Sequence, residues 1–376
     1  MKKALLISNI ETKFSNFIVP PAQVLTDLGY EVHACANISN FKENKEKYKY
    51  IKMHHIDFER NPLNLKNIKA YKQLLKLMKE EEFDLVHCNT PIGGLLGRIC
   101  AKKLSISKVV YTAHGFHFYK GAPVINNVIY KNVERFLARY TDILVTINKE
   151  DYEAAKKFKL RKNGQVYLVH GVGINSSIFQ INDFDRLNYR KEIGINEKDI
   201  VLISAGDLIK RKNYDISIRA IAKCKNRNIK YLICGTGPKE RKLKKLIEKL
   251  NLRNQVYLMG YRSDIKELMN SADIFLFTTL QEGLPRSMME AMATGLPCIA
   301  SNIRGNVDLI EDGKGGFLNR VDSSEEFSKS ISTLVNNPVL RNNMGEFNKQ
   351  FVKQFDTDNV KNELIEIYNN FENKED

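Results

Sequence analysis

Along this chain, short apolar runs alternate with longer stretches whose apolar residues recur every three or four positions. That is the pattern of parallel strands covered by helices. In the first half, "ALLIS" (4–8), "EVHACA" (31–36), "YIKMHHI" (50–56), "DLVHC" (84–88), "KVVYTA" (108–113), "DILVTI" (142–147) and "VYLVH" (166–170) predict strands. Between them, "LKNIKAYKQLLKLMKEE" predicts a helix with Leu65, Ile68, Tyr71, Leu75 and Met78 on one face and lysines on another.

The pattern pauses over 173–196, "GINSSIFQINDFDRLNYRKEIGIN", a polar and turn-rich stretch, and then restarts. Further strands are predicted at "IVLISA" (200–205), "KYLICG" (230–235), "QVYLMG" (255–260), "ADIFLFTT" (272–279) and "PCIAS" (297–301). The fold class is α/β, with two Rossmann-like, doubly wound domains, residues 1–185 and 186–356, facing an interdomain cleft. Ligands of such sheets bind at the carboxyl ends of the strands, so the loops there are where chemistry is expected. No repeat at a period of 20 to 50 residues argues for a solenoid.

A length of 376 residues agrees with two cores rather than one. The net charge of +15 is uneven: residues 1–185 carry 28 Lys and Arg against 18 Asp and Glu, the remainder 31 against 26. The surplus in the first half favours an anionic partner, although solubility alone also accounts for such a charge. No basic arm or aromatic stacking motif points to nucleic acid. No run of 18 apolar residues exists, and "MKKALLISNI" breaks off at Glu11 without a secretory core, so a cytoplasmic protein is expected. Six scattered cysteines lack metal-ligand spacing and read as reduced thiols.

Candidate chemistry lies just after predicted strands. In "LQEGLPRSMMEAMATGLP" Glu282 ends a strand, Pro285 suits the first turn of a helix, and Glu290 falls about one turn inside it. Backbone near Gly283, Leu284, Arg286 and Ser287 then offers free N–H groups to phosphate or sugar oxygens. Two carboxylates there suit the vicinal hydroxyls of two polyol rings, although a loop charge and a solvated helix residue describe them as well. "SAGDLIKRKNYD" sets Arg211 and Lys212 beside a glycine turn at Gly206, where adjacent cations can neutralise a diphosphate. "YTAHGFHFYKGAP" puts His114 at a strand end, and "CNTPIGGLLGR" presents Thr90, Gly93 and Gly94 in the same manner; a core histidine and a glycine-rich turn are the plainer readings. "CGTGPKE" lacks the third glycine and the distant acid of a dinucleotide site. "DFD" at 183–185 resembles a metal-diphosphate chelate but falls in the predicted linker, so it reads as solvated.

Taken in order, "YTAHGFHFYKGAP", "GDLIKRKN", "CGTGP" and "EGLPRSMMEAMATGLPCIAS" resemble the retaining glycosyltransferases of family 4, whose E-x7-E motif Glu282 and Glu290 match. "CNTPIGG" and "TINKEDYEAAKKF" resemble in particular bacterial enzymes of capsular or exported polysaccharide synthesis. The resemblance implies a GT-B fold whose second domain binds the sugar nucleotide, and a last helix at about 357–376 that crosses back to the first. It implies that Glu290 binds ribose hydroxyls, Glu282 the transferred sugar, Arg211 and Lys212 the diphosphate, and His114 a sugar hydroxyl near the anomeric carbon. It implies retention of configuration, with neither a metal nor another cofactor.

Two departures stand out. Asp207 occupies a position where many relatives carry arginine, which shifts the phosphate load to Arg211 and Lys212, and "SNIETKFSNFIVPPAQ" lacks the glycine pair common after the first strand. The expected reaction moves a hexose or N-acetylhexosamine from a nucleoside diphosphate, with uridine favoured. The expected acceptor is a saccharide on a polyprenyl diphosphate lipid at the inner membrane face. Thr90, Gly93 and Gly94 are the acceptor-side candidates. A sugar-nucleotide 2-epimerase of the same fold and a non-catalytic basic binding protein are the alternatives. An anionic membrane surface is the expected docking partner of the first domain. Lys66, Lys69, Lys72, Lys76 and Lys79 on one helix carry that expectation, with Lys120, Lys131, Arg135 and Arg139 around another. Ile125, Val128, Ile129 and Phe136 in the second helix either join this surface or pack on the sheet.

Overall fold

A computed structural model describes residues 1–372, so residues 373–376 of the expected last helix lie outside the described residues. The chain forms two compact units, Met1–Gly173 with the segment beginning at Thr357, and Ile174–Asp356. The first carries parallel strands β1 (Lys3–Ile10), β2 (Glu31–Asn37), β3 (Ile51–His55), β4 (Leu85–Asn89), β5 (Lys108–Ala113), β6 (Ile143–Thr146) and β7 (Gln165–Leu168). Their order is β3-β2-β1-β4-β5-β6-β7. The second carries β8 (Ile200–Ala205), β9 (Ile229–Cys234), β10 (Val256–Gly260), β11 (Ile274–Phe277), β12 (Cys298–Ser301) and β13 (Gly316–Asn319), in the order β10-β9-β8-β11-β12-β13.

Both orders are the doubly wound arrangement in which the chain leaves a central strand to one side and returns to its other side. The reversal falls between β1 and β4 in the first unit and between β8 and β11 in the second. Strands such as Ala4–Ile7, Val201–Ser204 and Ile274–Phe277 are buried throughout, because helices cover both faces. Two parallel Rossmann-like sheets are therefore the observed architecture.

Every predicted strand exists; β13, "GFLN", was not predicted. It has four residues and begins at Gly316, where a Cβ would lie 1.8 Å from the Cys298 carbonyl oxygen, so close pairing with β12 replaces apolar content. The division between units falls after Gly173, not after residue 185. Ile174 N–H donates to the Phe355 carbonyl at 3.0 Å, and Ser176 binds the Asp356 carboxylate through N–H (2.8 Å) and Oγ (2.9 Å). Polarity over 173–196 marked the region, but these pairings, remote in sequence, set the boundary. Asp185 of the "DFD" stretch caps helix Arg186–Glu192, accepting from Asn188 N–H at 3.0 Å.

Helix Lys66–Glu81 departs from expectation in part: Met78 is buried and Tyr71 and Leu75 pack against the core as expected, but the buried stripe runs on through Asn67, Ala70 and Leu74, while Leu65 is 78% and Ile68 55% exposed. The buried Asn67 explains the rotation: its side chain accepts from Glu59 N–H (3.0 Å) and donates to the Asn61 carbonyl (2.9 Å), fixing the preceding loop. Helix Thr357–Glu372 packs with helix Val19–Asp27 of the first unit. Its buried Tyr368 hydroxyl lies 2.7 Å from His87 Nδ1, and Glu363 meets His170 Nδ1 at 2.5 Å.

All six cysteines are free thiols, and Cys35, Cys88, Cys100, Cys234 and Cys298 are buried. No helix among the described residues is long and apolar enough to cross a membrane.

Candidate active site

The reversal between β8 and β11 brings two loops together at the carboxyl ends of these strands. Glycines allow the loop after β8 to be crossed closely: a Cβ at Gly235 would lie 2.1 Å from the Gly206 carbonyl oxygen, and Gly235 has φ +147°. Opposite Gly206 stands Lys212, which also lies over the Phe277 ring at 4.7 Å. The two loops are joined by backbone as well, since Leu280 N–H donates to the Arg211 carbonyl at 2.8 Å.

Glu282 is the centre of this arrangement. Its carboxylate pairs with Lys212 Nζ at 2.8 Å and Arg211 Nη1 at 2.8 Å, and accepts from Thr279 Oγ1 at 2.9 Å. Lys212 and Glu282 are each only 11% exposed, whereas Arg211 reaches solvent. Two cations sharing one carboxylate, Lys212 of them poorly hydrated, retain a net positive charge, which suits a ligand bearing more than one negative charge. Arg304, buried and not singled out in the sequence, donates through Nε to the Glu282 carbonyl at 3.1 Å. Its neighbour Gly305, at φ +82°, approaches so closely that a Cβ would lie 2.5 Å from the Gly283 carbonyl oxygen. The β12 loop therefore holds the glutamate loop from behind.

Pro285 caps helix Arg286–Ala293, whose first amides have no helical acceptor by construction. Arg286 and Ser287 open the helix, and Leu284 packs partly into the core. Glu290 lies one turn on, with Arg286 Nε donating to it at 2.9 Å. Burial pushes the Glu290 carboxyl above its ordinary range, and Arg286 opposes the shift. Glu282 and Glu290 thus have separate cationic partners.

In the first unit the reversal between β1 and β4 places Asn9 beside Thr90. Asn9 Oδ1, near the end of β1, accepts from Thr90 Oγ1 at 2.8 Å and from Gly93 N–H at 2.6 Å, just before the loop that lacks the glycine pair. Gly93 and Gly94 are buried. A Cβ on Gly94 would lie 2.4 Å from the Tyr111 ring, so close helix-to-sheet packing requires a glycine here. Thr90, half-buried with φ +64°, remains at the strand end.

His114 follows β5, and its Nε2 lies 2.8 Å from Asn89 Oδ1. An amide oxygen can only accept, so Nε2 carries the hydrogen and Nδ1 the lone pair. Nδ1 of His114 and Nδ2 of Asn89 are both sealed from solvent without a partner among the described residues. The Phe17 ring covers the imidazole at 4.3 Å between centroids. Burial lowers the His114 pKa to about 4, so the ring is neutral at pH 7. Asn89 and Asn9 lay in polar strand ends without a distinguishing pattern, which is why sequence reading missed them.

Among the described residues, Glu31, His33 and Glu81 are close enough to hold a cation together. Lys52 already pairs with Glu31 at 2.8 Å and Lys3 with Glu81 at 2.8 Å, so this group reads as a salt-bridge network at the other end of the first sheet.

Known proteins agree with this geometry. Residues 185–351 match the family described as "Glycosyl transferases group 1", and residues 4–148 match "Glycosyl transferase 4-like". The putative glycosyltransferase EpsD of Bacillus subtilis is 34% identical over 98% of this chain and 96% of its own. An Escherichia coli "UDP-Gal:alpha-D-GlcNAc-diphosphoundecaprenol alpha-1,3-galactosyltransferase" is 31% identical over 75% of this chain and 74% of its own. In fold, the chain is similar to Anabaena HepE, solved with UDP, at a TM-score of 0.79 and 20% identity, covering 98% of this chain and 100% of that one. With both reversal points built as described and 98% of the chain matched by one relative, the chain belongs to the family 4 glycosyltransferases and is a glycosyltransferase of GT-B fold.

Proposed function

We propose that this enzyme is a retaining hexosyltransferase that moves a hexose or N-acetylhexosamine from a uridine diphosphate donor to a lipid-linked saccharide in bacterial surface polysaccharide synthesis. The observation that carries the donor assignment is the Arg211–Lys212–Glu282 cluster at the β8/β11 reversal. Arg211 and Lys212 receive the diphosphate and stabilise it as it leaves. Glu290 accepts from the ribose hydroxyls in exchange for Arg286, and amides of Gly283 and Leu284 in the loop and of Arg286 and Ser287 in the first turn meet donor oxygens. Glu282 and His114 serve the transferred sugar, His114 as a neutral hydrogen-bonding ring. The leaving phosphate oxygen takes the acceptor proton, so the two cations, rather than a divalent ion or cofactor, carry the charge stabilisation. The names of the E. coli galactosyltransferase and of HepE's bound UDP support the donor and acceptor classes.

Placement on the cytoplasmic face of the membrane is part of this reading, with helix Val124–Ala138 as the docking element. Ile125 is 66%, Val128 55%, Ile129 53% and Phe136 51% exposed, so they do not pack on the sheet. Lys131, Arg135 and Arg139 accompany them, which suits an anionic lipid surface. The lysine-rich helix contributes less than expected, because Lys66 pairs with Glu59, Lys69 with Asp57 and Lys76 with Glu80.

Incubating the enzyme with a panel of UDP-sugars, with and without prenyl diphosphate-linked saccharides, tests the reaction. Transfer with retention at the anomeric carbon is expected only when both substrates are present. A new sugar nucleotide formed from donor alone identifies an epimerase instead.

A further inference from the structure

Two adjoining recesses in the first unit have opposite character. One, about 340 Å³, opens at the β1/β4 reversal; Asn9, Thr90, Arg60 and His117 line it, and no carboxylate does. The other, a groove of about 350 Å³, is mostly apolar, with Leu63, Ile68, Ile92 and Leu95 among its walls. Neighbouring residues line the two: Pro91 the first and Ile92 the second, Arg60 the first and Pro62 the second. Leu63, 87% exposed, stands at the edge of the groove as an apolar side chain that no core claims. Phe17 lines the polar recess and also the cavity holding His114 and Asn89.

The apolar groove, the recess with Arg60 and the cavity with His114 are thus linked in that order, the first two by neighbouring residues and the last two by Phe17. A ligand matching that order has a hydrocarbon chain, then a diphosphate, then a saccharide. We infer that the groove at Leu63, Ile68 and Leu95 takes the first isoprenoid units of the acceptor, and that Arg60, with His117, holds its diphosphate. The inference rests on the proposed lipid-linked acceptor and adds where that acceptor lies. Arg60 supplies a planar fork to phosphate oxygens, and His117, held against Tyr130 at 5.2 Å between ring centroids, lines the same recess. Recesses of this size are in the range of about 300–1,000 Å³ that bind small ligands. The geometry also explains why Leu63, Leu65 and Ile68 remain outside the core: the chain that covers them belongs to the substrate.

The test uses the full-length enzyme in neutral detergent and a farnesyl diphosphate analogue bearing a benzophenone near the tail end. Saturable cross-links are expected in 62–71 and 91–96. Arg60→Ala should weaken farnesyl diphosphate binding about tenfold, with partial recovery in Arg60→Lys. Ile68→Trp, at an exposed position that leaves the fold intact, should weaken farnesyl diphosphate but not inorganic diphosphate. Cross-links elsewhere, unchanged affinity in Arg60→Ala, or complete competition by phosphatidylglycerol vesicles overturn the assignment, the last by showing a general lipid surface. UDP binding is measured on the same samples. A wild type that binds UDP but not farnesyl diphosphate sinks this site alone, whereas absence of UDP binding to the wild type sinks the transferase reading itself.

Discussion

Glu282 has two occupations: without a ligand it pairs with both Arg211 and Lys212, and in the proposed reaction it turns to the transferred sugar. Its carboxylate stands where donor phosphate would compete for the same cations. Glu282→Gln should consequently bind UDP no more weakly than the wild type while turnover falls at least tenfold, because the lost bond is made with the sugar. Calorimetry finding weaker UDP binding in that variant contradicts the arrangement. Asn89 is the second residue with a consequence. By accepting from Nε2 it leaves His114 Nδ1 as the acceptor nitrogen. Asn89→Ala should lower kcat with KM for the donor nearly unchanged, and nitrogen-15 spectra of the imidazole should show a mixture of tautomers. A single unchanged tautomer removes this positioning role. Glu282, Lys212 and His114 were legible in the sequence because each follows an apolar strand. Asn89, Asn9 and Arg304 were not, since their partners are set by sheet order and lie at sequence separations no local pattern encodes.

Strands transmit this precision to the loops, and helices decide what surrounds them. The order of apolar runs revealed every strand except β13, whose glycine start and four-residue length leave no periodic trace. Helix faces were harder to read. Leu65 and Ile68 fit an apolar stripe, yet the buried one runs through Asn67, Ala70 and Leu74, because Asn67 satisfies loop backbone groups that must be bonded when covered. Gly305 is the clearest element-level constraint. Gly305→Ala puts a methyl 2.5 Å from the Gly283 carbonyl and forces a left-handed backbone on alanine, so about 1–3 kcal/mol of destabilisation is expected in urea titrations. Activity should fall further than stability if the displaced loop carries Glu282 with it; equal activity per folded molecule contradicts that coupling. Helix Val124–Ala138 makes a different forecast. Ile125→Asp with Ile129→Asp should abolish sedimentation with anionic vesicles at low salt without changing UDP affinity, since their side chains contact solvent in the free protein. Retained sedimentation moves the docking face elsewhere.

Two units that share one order over six strands, the first adding β7 at its edge, one sequence-separated helix returning to the first, and an excess of cations define the molecule as a whole. Its pH response follows from buried neutral histidines. Burial lowers His87 to about 3 and His114 to about 4, below the ordinary value near 6.5. Below pH 6.5 the unfolded chain takes up protons that the folded chain refuses. Stability is thus full above about pH 6.5 and lost as pH falls toward these lower values, at up to about 1.4 kcal/mol per pH unit for each ring. His87→Gln should flatten that decline in urea midpoints measured from pH 7 to 5; an identical slope rules the assignment out. The location of the donor is decided by calorimetry with UDP on folded single variants. Lys212→Ala and Glu290→Ala should each lose roughly 1–3 kcal/mol, about five- to 150-fold in affinity, while His114→Ala retains wild-type affinity and loses turnover. Undiminished UDP binding in both Lys212→Ala and Glu290→Ala would place the donor somewhere other than the β8/β11 reversal.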